Sequence, residues 1–512
     1  MRTMQRTQYM MLHTAIGTLR AERVGSTTGS HNTDGGAPVY RILGIPYARA
    51  ERFQEPEPVD TDSGGVANSG SGHCFPQRLM PGFVNLYLRQ FQLRPEWQPR
   101  GDIQGEDALR VNVWTSGPDS PKPVLVFIHG GDCGSGTLPI YDGTHLAAQG
   151  IVVVTVTYRI GAFGHLHVVD GDRISCDRAL LDQQAALRWV KDNISALGGD
   201  PERITLMGHC GGAQYALYQA LNPDNRGLFH RLILCSGQRG TPQPLDADAE
   251  RGAFARLLAD NHLRDFRELA AAPVGRLLRL VQPTMTLSTT MDQPFFSVDP
   301  REVLREGAFP HVPVLVGSTA DEFSMIEIPS WYRRMGIATS PEEFERTTGQ
   351  LYGRWANPIA AALRPESADL PDLQIKMLEL LVFHSAALSL MERMSAHTRV
   401  YGYRFEYVPN LYRGLRGAYH GAEVAIFFGN LDRMRIPITD DNRRAMAVIQ
   451  RDWLGFVRGG VMPHRPAFDA QAQITRYRDD GESIRFPHLE LLRELEGTGL
   501  AQRVVNGYMS RR

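Results

Sequence analysis

Residues 204–212, Ile-Thr-Leu-Met-Gly-His-Cys-Gly-Gly, join a short apolar strand to a cysteine flanked by glycines. Within them, residues 208–212 have the form Gly-x-Cys-x-Gly, typical of a nucleophile elbow with cysteine in the place of serine. Such a turn exposes the central side chain, and its glycines let the strand and the following helix pass close together. The helix N-terminus favours negative charge at the central residue. The pattern predicts a turn suited to a nucleophilic Cys210, and the rest of the chain has to supply its partners.

Strands alternate with helices on both sides of this turn. The predicted strands are 124–128, 151–158, 204–207, 232–234, 312–316 and 400–407, and the predicted helices are 179–196, 213–221 and 443–457. This order favours an α/β fold with a central, mostly parallel sheet and helices on both faces. We expect a single domain over residues 1–512, with helical insertions at about 245–310 and 329–395 that cap the site.

Composition and charge narrow the classes of partner. The 512 residues are 42% apolar and 22% charged, with a formal net charge of −1, as in an ordinary soluble protein. A charge so close to zero gives no reason to expect nucleic acid or an anionic membrane as a partner. The apolar run 151–156 is too short to span a bilayer, and the N-terminus lacks the apolar core of a signal peptide. We expect a monomer or homodimer that acts on a small molecule.

Five cysteines are scattered through the chain without Cys-x-x-Cys pairs: Cys74, Cys133, Cys176, Cys210 and Cys235. Their odd number and wide spacing favour neither a disulfide framework nor a zinc site. We therefore expect a reducing, cytoplasmic setting. No glycine-rich loop has the pattern of a dinucleotide site, so neither a metal nor a cofactor is expected.

A cysteine nucleophile needs a base and a group that orients the base. His420 lies in the glycine-flanked segment 417–423, Gly-Ala-Tyr-His-Gly-Ala-Glu, after a predicted strand. Asp321 and Glu322 come shortly after the predicted strand 312–316. The order nucleophile, acid, base along the chain is that of α/β-hydrolases. Spacing alone leaves either carboxylate as the acid.

Short blocks spread over most of the chain resemble the type-B carboxylesterases, the family that includes the cholinesterases. They occur in the family's order: 43–48 (LGIPYA), 52–53 (RF), 106–109 (EDAL), 127–131 (FIHGG), 141–143 (YDG), 158–159 (YR), 181–183 (LDQ), 186–190 (ALRWV), 198–201 (GGDP), 236–237 (SG), 321–322 (DE) and 420–423 (HGAE). Each block is weakly informative alone, but the set is specific. The resemblance implies an α/β-hydrolase fold and an enzyme acting on carboxylic esters.

The resemblance also assigns roles to individual residues. It implies a catalytic triad of Cys210, Glu322 and His420, and so chooses Glu322 over Asp321. The family's oxyanion hole, a group of amides that stabilises negative charge on the substrate oxygen, would be formed by Gly131, Asp132 and Gly211. The resemblance also implies that Arg52 and Glu106 form a structural ion pair. It places Phe295 and Phe296 in an acyl pocket, and Trp331 and Tyr332 in the lining of a gorge.

Several features around the site depart from the family. Cys210 replaces serine, and His209 stands where the family usually has glutamate. In the oxyanion segment, Asp132 and Cys133 replace a glycine and a bulky apolar residue. The two usual intrachain disulfides are absent as well. We interpret His209 and Cys133 as modulators of the site. Two roles stay open for Asp132: it forms a compensating pair with His209, which is our hypothesis, or it acts as a second acid or base in a reaction other than simple hydrolysis.

Cysteine changes the substrates that we expect. A helix N-terminus and a neighbouring imidazolium favour the thiolate. Attack on an ester then gives an S-acyl intermediate, but alkoxide is a poorer leaving group than thiolate. We therefore expect activated esters, lactones or thioesters, including thioesters bound to a carrier or to coenzyme A, followed by hydrolysis, acyl transfer or cyclisation.

Two other functions stay open. A non-catalytic binding relative would keep the fold, but it would have no need of the thiol, the acid and the histidine together. A lyase or cyclase would use His420 as its base and leave Cys210 a bystander. Full activity in a Cys210→Ala variant would favour the second of these.

Overall fold

The computed structural model of the protein describes most of the chain in separate ranges. These are residues 9–14, 17–24, 38–59, 67–77, 103–131, 136, 141–237, 243–244, 246–281, 290–291, 294–324, 332, 336–409, 417–431 and 439–509. Three residues that were given roles above lie outside these ranges: Asp132, Cys133 and Trp331.

A twelve-stranded sheet runs through the described part of the molecule. Its strands, numbered along the chain, are β1 (Tyr9–Thr14), β2 (Gly17–Val24), β3 (Val39–Pro46), β4 (Arg110–Thr115), β5 (Lys122–Ile128), β6 (Val152–Val156), β7 (Gly199–His209), β8 (Arg231–Cys235), β9 (Val314–Thr319), β10 (Val400–Phe405), β11 (Gln473–Tyr477) and β12 (Glu482–Arg485). Short two-stranded pairs lie outside this sheet: Ala48–Arg49 with Glu57–Pro58, His73–Cys74 with Ile103–Gln104, Val168–Asp170 with Arg173–Ser175, and Gln243–Pro244 with Thr290–Met291.

The strand order across the large sheet is β1-β2-β3-β4-β6-β5-β7-β8-β9-β10-β11-β12. From β6 to β11 every neighbouring pair is parallel, and the pairs outside this block are antiparallel. The carboxyl ends of the parallel strands therefore meet at one edge of the sheet. The prediction of an α/β fold with a mostly parallel sheet is confirmed.

Helices connect these strands. Those described are α1 (Thr144–Ala148), α2 (Gly161–His165), α3 (Arg178–Asn193), α4 (Gly211–Leu221), α5 (Ala247–Asp260), α6 (Phe266–Ala270), α7 (Val274–Val281), α8 (Pro300–Glu306), α9 (Pro341–Tyr352), α10 (Ala356–Leu363), α11 (Leu370–Glu379), α12 (Ser385–Ser395), α13 (Ala422–Phe428), α14 (Asp440–Gly459), α15 (Leu489–Leu495) and α16 (Leu500–Met509). Helices α5 to α8 fall in the first predicted insertion, and α9 to α12 fall in the second.

Alternate residues of the central strand β5 face opposite sides of the sheet. Val124, Val126 and Ile128 belong to one buried apolar cluster, whereas Leu125 and Phe127 belong to a second. The first cluster includes side chains of α3 and α4, and the second includes side chains of α13 and α14. Helices therefore cover both faces of the sheet, as the sequence predicts.

Helices α11 and α12 are continuous through a π-helical turn, Leu380–His384. The whole stretch, Leu370–Ser395, is the one helix in the described ranges that is long and apolar enough to cross a membrane. Its most apolar window is 72% buried inside the protein, and core helices pass the same test of length and composition. This stretch also contacts the loop that follows β9.

Arg52 and Glu106, which the resemblance assigns to a structural ion pair, lie in contact. The Nε of Arg52 donates to the Oε2 of Glu106 over 2.8 Å, and a second bond joins the other guanidinium and carboxylate atoms. Arg52 also donates to the carbonyl oxygen of Ala270, at the end of α6, over 2.8 Å. The pair therefore links the region after β3 to the helices of the first insertion.

Candidate active site

Cys210 occupies a sharp turn between β7 and α4. Its φ of +58° and ψ of −126° lie in a region that residues with a β-carbon rarely adopt, at a cost of about 1–3 kcal/mol. The Cys210 amide donates to the carbonyl oxygen of Cys235 over 2.9 Å, and the Cys210 carbonyl accepts from the amide of Ala213 over 3.0 Å. Backbone hydrogen bonds on both sides thus hold the strained turn, and the Cys210 residue is only partly buried.

The glycines around Cys210 allow three backbone segments to meet. A β-carbon on Gly208 would lie 2.1 Å from the carbonyl oxygen of Gly212, and one on Gly212 would lie 2.1 Å from that of Ile128. A β-carbon on Gly130 would lie 2.8 Å from the Cys210 β-carbon. Strand β5, the segment after it and the first turn of α4 therefore touch at the cysteine.

Glu322 and His420 lie on two loops at the carboxyl edge of the sheet, named here the acid loop (residues 320–324) and the histidine loop (residues 417–421). The Nδ1 of His420 hydrogen-bonds to the Oε2 of Glu322. The other carboxylate oxygen of Glu322 accepts from the amide of Thr319 over 2.8 Å. Glu322 is completely buried, so these two bonds fix its orientation.

Asp321, which spacing left as an alternative acid, has different partners. Its carboxylate contacts Lys376 and the amide of Ala418. The structure therefore brings Glu322, and not Asp321, to the ring of His420.

The charges around His420 connect it to Cys210. Burial by itself would lower the pKa of His420. The charge of Cys210 and the charge of Glu322 outweigh burial, together with hydrogen bonds to both groups, and raise the pKa of His420 well above its ordinary value. The three side chains therefore form an array in which Cys210 and Glu322 both interact with His420 and both favour its imidazolium form.

His209 lies against the base. Its ring centroid is 4.6 Å from that of His420, with an angle of 40° between the rings. Burial, and then the charge of His420, lower the pKa of His209 well below its ordinary value, so the ring is neutral. Its Nε2 is buried and has no hydrogen-bond partner within the described ranges. The predicted partner, Asp132, lies outside those ranges.

Two of the three predicted oxyanion residues, Gly131 and Gly211, lie within the described ranges, and the third, Asp132, lies outside them. Gly131 has a φ of +136°, which glycine adopts readily. Gly211 begins α4, where the first amides have no acceptor within the helix. The hydroxyl of Tyr158 donates to the carbonyl oxygen of His129 over 2.6 Å, and the two rings stack with centroids 4.4 Å apart. Tyr158 therefore anchors the start of the glycine segment.

Sequence reasoning missed a second carboxyl group behind the array. Glu423 is completely buried on α13, three residues after His420. The hydroxyl of Ser236 donates to its Oε1 over 3.0 Å, and the hydroxyl of Tyr403 lies 3.4 Å from the same atom. Burial, and next the charge of Glu322, raise the pKa of Glu423 to about 7. Ser236 and Glu423 both belong to the blocks of the resemblance, which was the available signal.

Phe295 and Phe296, predicted for the acyl pocket, lie beside the second half of α4. Phe296 packs edge-on against Tyr218 with centroids 5.8 Å apart, and the Phe295 carbonyl accepts from Asn222 over 2.7 Å. Tyr218 is eight residues beyond the cysteine, or about 12 Å along the helix axis. Both phenylalanines are buried core residues at this position. Tyr332, proposed for the gorge, is partly buried against the same core.

A small apolar pocket lies closer to the cysteine, beside the first turns of α4. Its lining comes from that helix, from β8 and the residues after it, from β9 and from α12: Ala213, Gln214, Leu217, Leu234, Gly237, Val316, Gly317, Ala387 and Leu390. Within the described ranges, no group of three or more His, Cys, Asp or Glu side chains is placed to hold a metal ion.

The chain matches the carboxylesterase family over residues 11–482. It is 32% identical over 452 residues to the para-nitrobenzyl esterase of Bacillus subtilis, with 82% of this chain and 86% of that protein covered. It is 28% identical to the cocaine esterase of Homo sapiens, with 89% of this chain and 87% of that protein covered. A solved structure of PNB esterase superposes with a TM-score of 0.74 at 27% identity, covering 95% of this chain and all of the other.

These likenesses span nearly the whole chain, so they apply to the sheet, the elbow and the loops together. The superposition on PNB esterase confirms the α/β-hydrolase fold that the resemblance implied. The chain therefore belongs to the carboxylesterase family and is a hydrolase of carboxylic ester bonds.

Proposed function

We propose that the protein uses Cys210, His420 and Glu322 as a catalytic triad and forms an S-acyl intermediate on Cys210. The observation that supports this most strongly is the placement of His420, which hydrogen-bonds to Glu322 and interacts with Cys210 through charge and a hydrogen bond. Nucleophile, base and orienting acid are the three parts that covalent acyl transfer requires. Neutral His209 adds no negative charge beside this array.

The first step is attack on the substrate carbonyl. The Cys210 sulfur forms a bond to the carbonyl carbon, and the π electrons move onto the oxygen. Among the described residues, we propose that the amides of Gly131 and Gly211 donate hydrogen bonds to that oxygen. When the adduct collapses, the leaving group departs with its electron pair and takes a proton from the Nε2 of His420.

The leaving group decides which substrates react. In the adduct, the Cys210 sulfur competes with the substrate's own leaving group, and a thiolate leaves more readily than an alkoxide. A simple alkyl ester therefore tends to revert to starting material. A thioester, a lactone or an aryl ester has a better leaving group or relieves ring strain, so we propose these as substrates, including thioesters bound to a carrier or to coenzyme A.

The second step releases the acyl group. Neutral His420 takes a proton from water while the water oxygen attacks the S-acyl carbonyl, and the Cys210 thiolate leaves as the imidazolium re-forms. The names of the relatives, an esterase in Bacillus subtilis and another in Homo sapiens, support water as the acceptor. An amine or a thiol in the place of water would make the same intermediate a point of acyl transfer.

The test compares three substrates that share one acyl group: a phenyl ester, a thioester and an alkyl ester. We expect Cys210→Ala to lose at least about 10⁴-fold in kcat/KM on every substrate that the wild type turns over. Cys210→Ser is the matched variant, and it should lessen the preference for the phenyl ester and the thioester. Free acid as the sole product supports hydrolysis, whereas product formed with an added amine supports transfer. Wild-type activity in folded Cys210→Ala would overturn the proposal and favour His420 acting as a base alone.

A further inference from the structure

One face of the helical stretch Leu370–Ser395 lies against the acid loop. Residues three or four positions apart lie on the same side of a helix. Lys376, Glu379 and Phe383 have this spacing and contact the acid loop. His384, at the end of the π-helical turn, contacts Thr319 next to that loop. The stretch therefore holds the part of the site that carries Glu322.

Lys376 acts on the residue before Glu322. Its Nζ lies 3.0 Å from the Oδ1 of Asp321. The Oδ2 of Asp321 accepts from the amide of Ala418 over 2.9 Å, and the Asp321 amide donates to the Ala418 carbonyl over 3.2 Å. At Gly417 a β-carbon would lie 2.3 Å from the same Oδ2, so the histidine loop is shaped around this carboxylate. Asp321 thus joins the acid loop to the histidine loop, and Lys376 fixes Asp321.

Glu379 acts on the residue after Glu322. Its Oε1 accepts a hydrogen bond from the amide of Phe323. Burial raises the pKa of Glu379 well above its ordinary value, and it outweighs the Phe323 hydrogen bond and the charge of Lys376, which lower that pKa. The raised pKa favours the neutral carboxyl group, which accepts the Phe323 bond without placing a second negative charge beside Glu322.

His384 holds the strand end that binds the acid. Its Nδ1 faces an Nη1 donor of Arg404 at 3.3 Å, which leaves Nε2–H to donate to the carbonyl oxygen of Thr319 over 3.1 Å. The amide of Thr319 in turn donates to Glu322. One helix face thus contacts the chain at Thr319, before Glu322 and after it.

Phe383 completes the contact on the side of the base. Its ring centroid lies 5.4 Å from that of His420 and 5.3 Å from that of Phe323. The aromatic ring therefore packs against both the acid loop and the histidine loop.

We propose that Lys376 and Glu379 are positioning residues that keep Glu322 in contact with His420 by fixing the two residues on either side of the acid. The inference rests on the proposed function in taking Glu322 and His420 as the working pair. Neither positioning residue contacts the predicted nucleophile. Their effect passes through the bond between Glu322 and His420, so releasing them should lower the pKa of His420.

A shift in the pKa of His420 is interpreted from the titratable groups that lie near its ring. Within the described ranges, the titratable groups acting on His420 come from the elbow, the end of β7, the acid loop and α13: Cys210, His209, Glu322 and Glu423. The positioning residues touch the segments that hold Glu322. A change in the titration of His420 after their removal therefore reports the Glu322 interaction.

The experiment is a nuclear magnetic resonance titration of the His420 imidazole, whose signal is identified by its loss in His420→Asn. Lys376→Met and Glu379→Leu remove the two contacts, and we expect each to lower the titration midpoint by about one unit, a tenfold change in proton affinity. Both should lower kcat about tenfold and leave KM within about twofold. Glu379→Gln keeps a carbonyl acceptor and should restore most of what Glu379→Leu loses. Lys191→Met, which breaks an ion pair with Glu202, is the matched control and should shift nothing.

An unchanged midpoint in folded Lys376→Met and Glu379→Leu would overturn the inference. Thermal melting identifies a variant that fails to fold, and the titration midpoint of the other variant is then used for the test. The titration needs no turnover, so it is independent of the proposed function. A wild type that never acylates Cys210 would refute the proposed function while the midpoint still reports on Lys376 and Glu379.

Discussion

The two halves of the candidate site are built in different ways. The elbow at Cys210 is made from neighbouring residues, and backbone hydrogen bonds and glycine clearances fix its shape. The acid and histidine side is assembled from the acid loop, the histidine loop and one face of the helical stretch Leu370–Ser395, which are far apart in the chain. The elbow depends on the absence of side-chain atoms at its glycines, and the acid and histidine side depends on contacts that side chains make.

This difference separates two kinds of sensitivity. Adding atoms should damage the elbow, because three backbone segments already touch there. Removing polar groups or changing their charge should damage the acid and histidine side, because buried carboxyl groups there are held by specific donors. Variants on each side should therefore fail in distinguishable ways.

The largest effect is expected on the acid side, at Glu322. Glu322→Gln keeps the shape of the side chain but removes the charge that stabilises the His420 imidazolium. We expect kcat/KM to fall about 10²- to 10³-fold, less than the roughly 10⁴-fold loss of a serine triad, because a thiol ionises more readily than a hydroxyl and depends less on the acid. The alkaline limb of the pH profile should also move to lower pH. Asp452→Asn, at another completely buried and ion-paired carboxylate, is the control and should leave the pH profile in place. Equal profiles for wild type and Glu322→Gln would refute this role.

The raised pKa of Glu423 should make the free energy of unfolding depend on pH. Its pKa is raised from an ordinary 4.5 to about 7, so between these values the unfolded carboxyl ionises while the folded one keeps its proton. The contribution of Glu423 to stability is therefore present below pH 4.5 and lost as pH rises to about 7, a change on the order of 3 kcal/mol. In urea unfolding, the free energy of unfolding of Glu423→Gln should rise relative to that of the wild type as the pH increases over this range. Parallel stability profiles for the two proteins would contradict the shift.

His209→Glu tests the charge at the junction of the two halves. A buried carboxylate there would oppose negative charge at Cys210 and hold His420 too firmly as imidazolium for it to accept a proton from water. We expect a loss of about 10²-fold in kcat, the scale seen when oxyanion stabilisation is weakened. His209→Gln, a neutral replacement, should lose much less. Unchanged turnover in His209→Glu would show that the neutral ring is not required.

Gly212→Ala tests the elbow by adding a single carbon atom. The new β-carbon would meet the carbonyl oxygen of Ile128 at 2.1 Å, so we expect a loss of about 1–3 kcal/mol in the free energy of unfolding. Gly349→Ala adds the same atom inside α9, where nothing lies within 4 Å. That control should stabilise the protein by about 0.5–1 kcal/mol. Similar melting temperatures for the two variants would mean that the elbow tolerates added volume.

The sequence predicts the elbow and the central strands because their signals are local. The apolar run before Gly208 and the small residues after it specify strand, turn and helix within a few positions. The β-branched and apolar runs of β5, β6 and β9 likewise predict buried strands. Tyr9–Thr14 and Gly17–Val24 were not predicted as strands, although they form β1 and β2. Apolar and polar residues do not alternate regularly in the sequence YMMLHT and alternate over only part of GTLRAERV.

The contacts of the acid side were not readable from the sequence. The contact of Lys376 with Asp321 spans 55 positions and that of Glu379 with Phe323 spans 56, and only the sheet brings these segments together. Sequence reasoning assigned the whole of 329–395 to a cap, since its apolar helices carry no sign of which neighbour they meet. The acyl-pocket role of Phe295 and Phe296 stays a prediction, because the sequence does not distinguish an aromatic side chain of the core from one that lines a pocket.

The most direct test of the central claim is to identify the atom that carries the acyl group. The wild type is mixed with an activated thioester, quenched in acid during turnover and mapped by peptide mass spectrometry. We predict one acyl group, on the peptide that contains Cys210, released by neutral hydroxylamine as a thioester should be and absent in Cys210→Ala. Turnover by the wild type with no acyl group on Cys210, or with the group on another residue, would contradict the account.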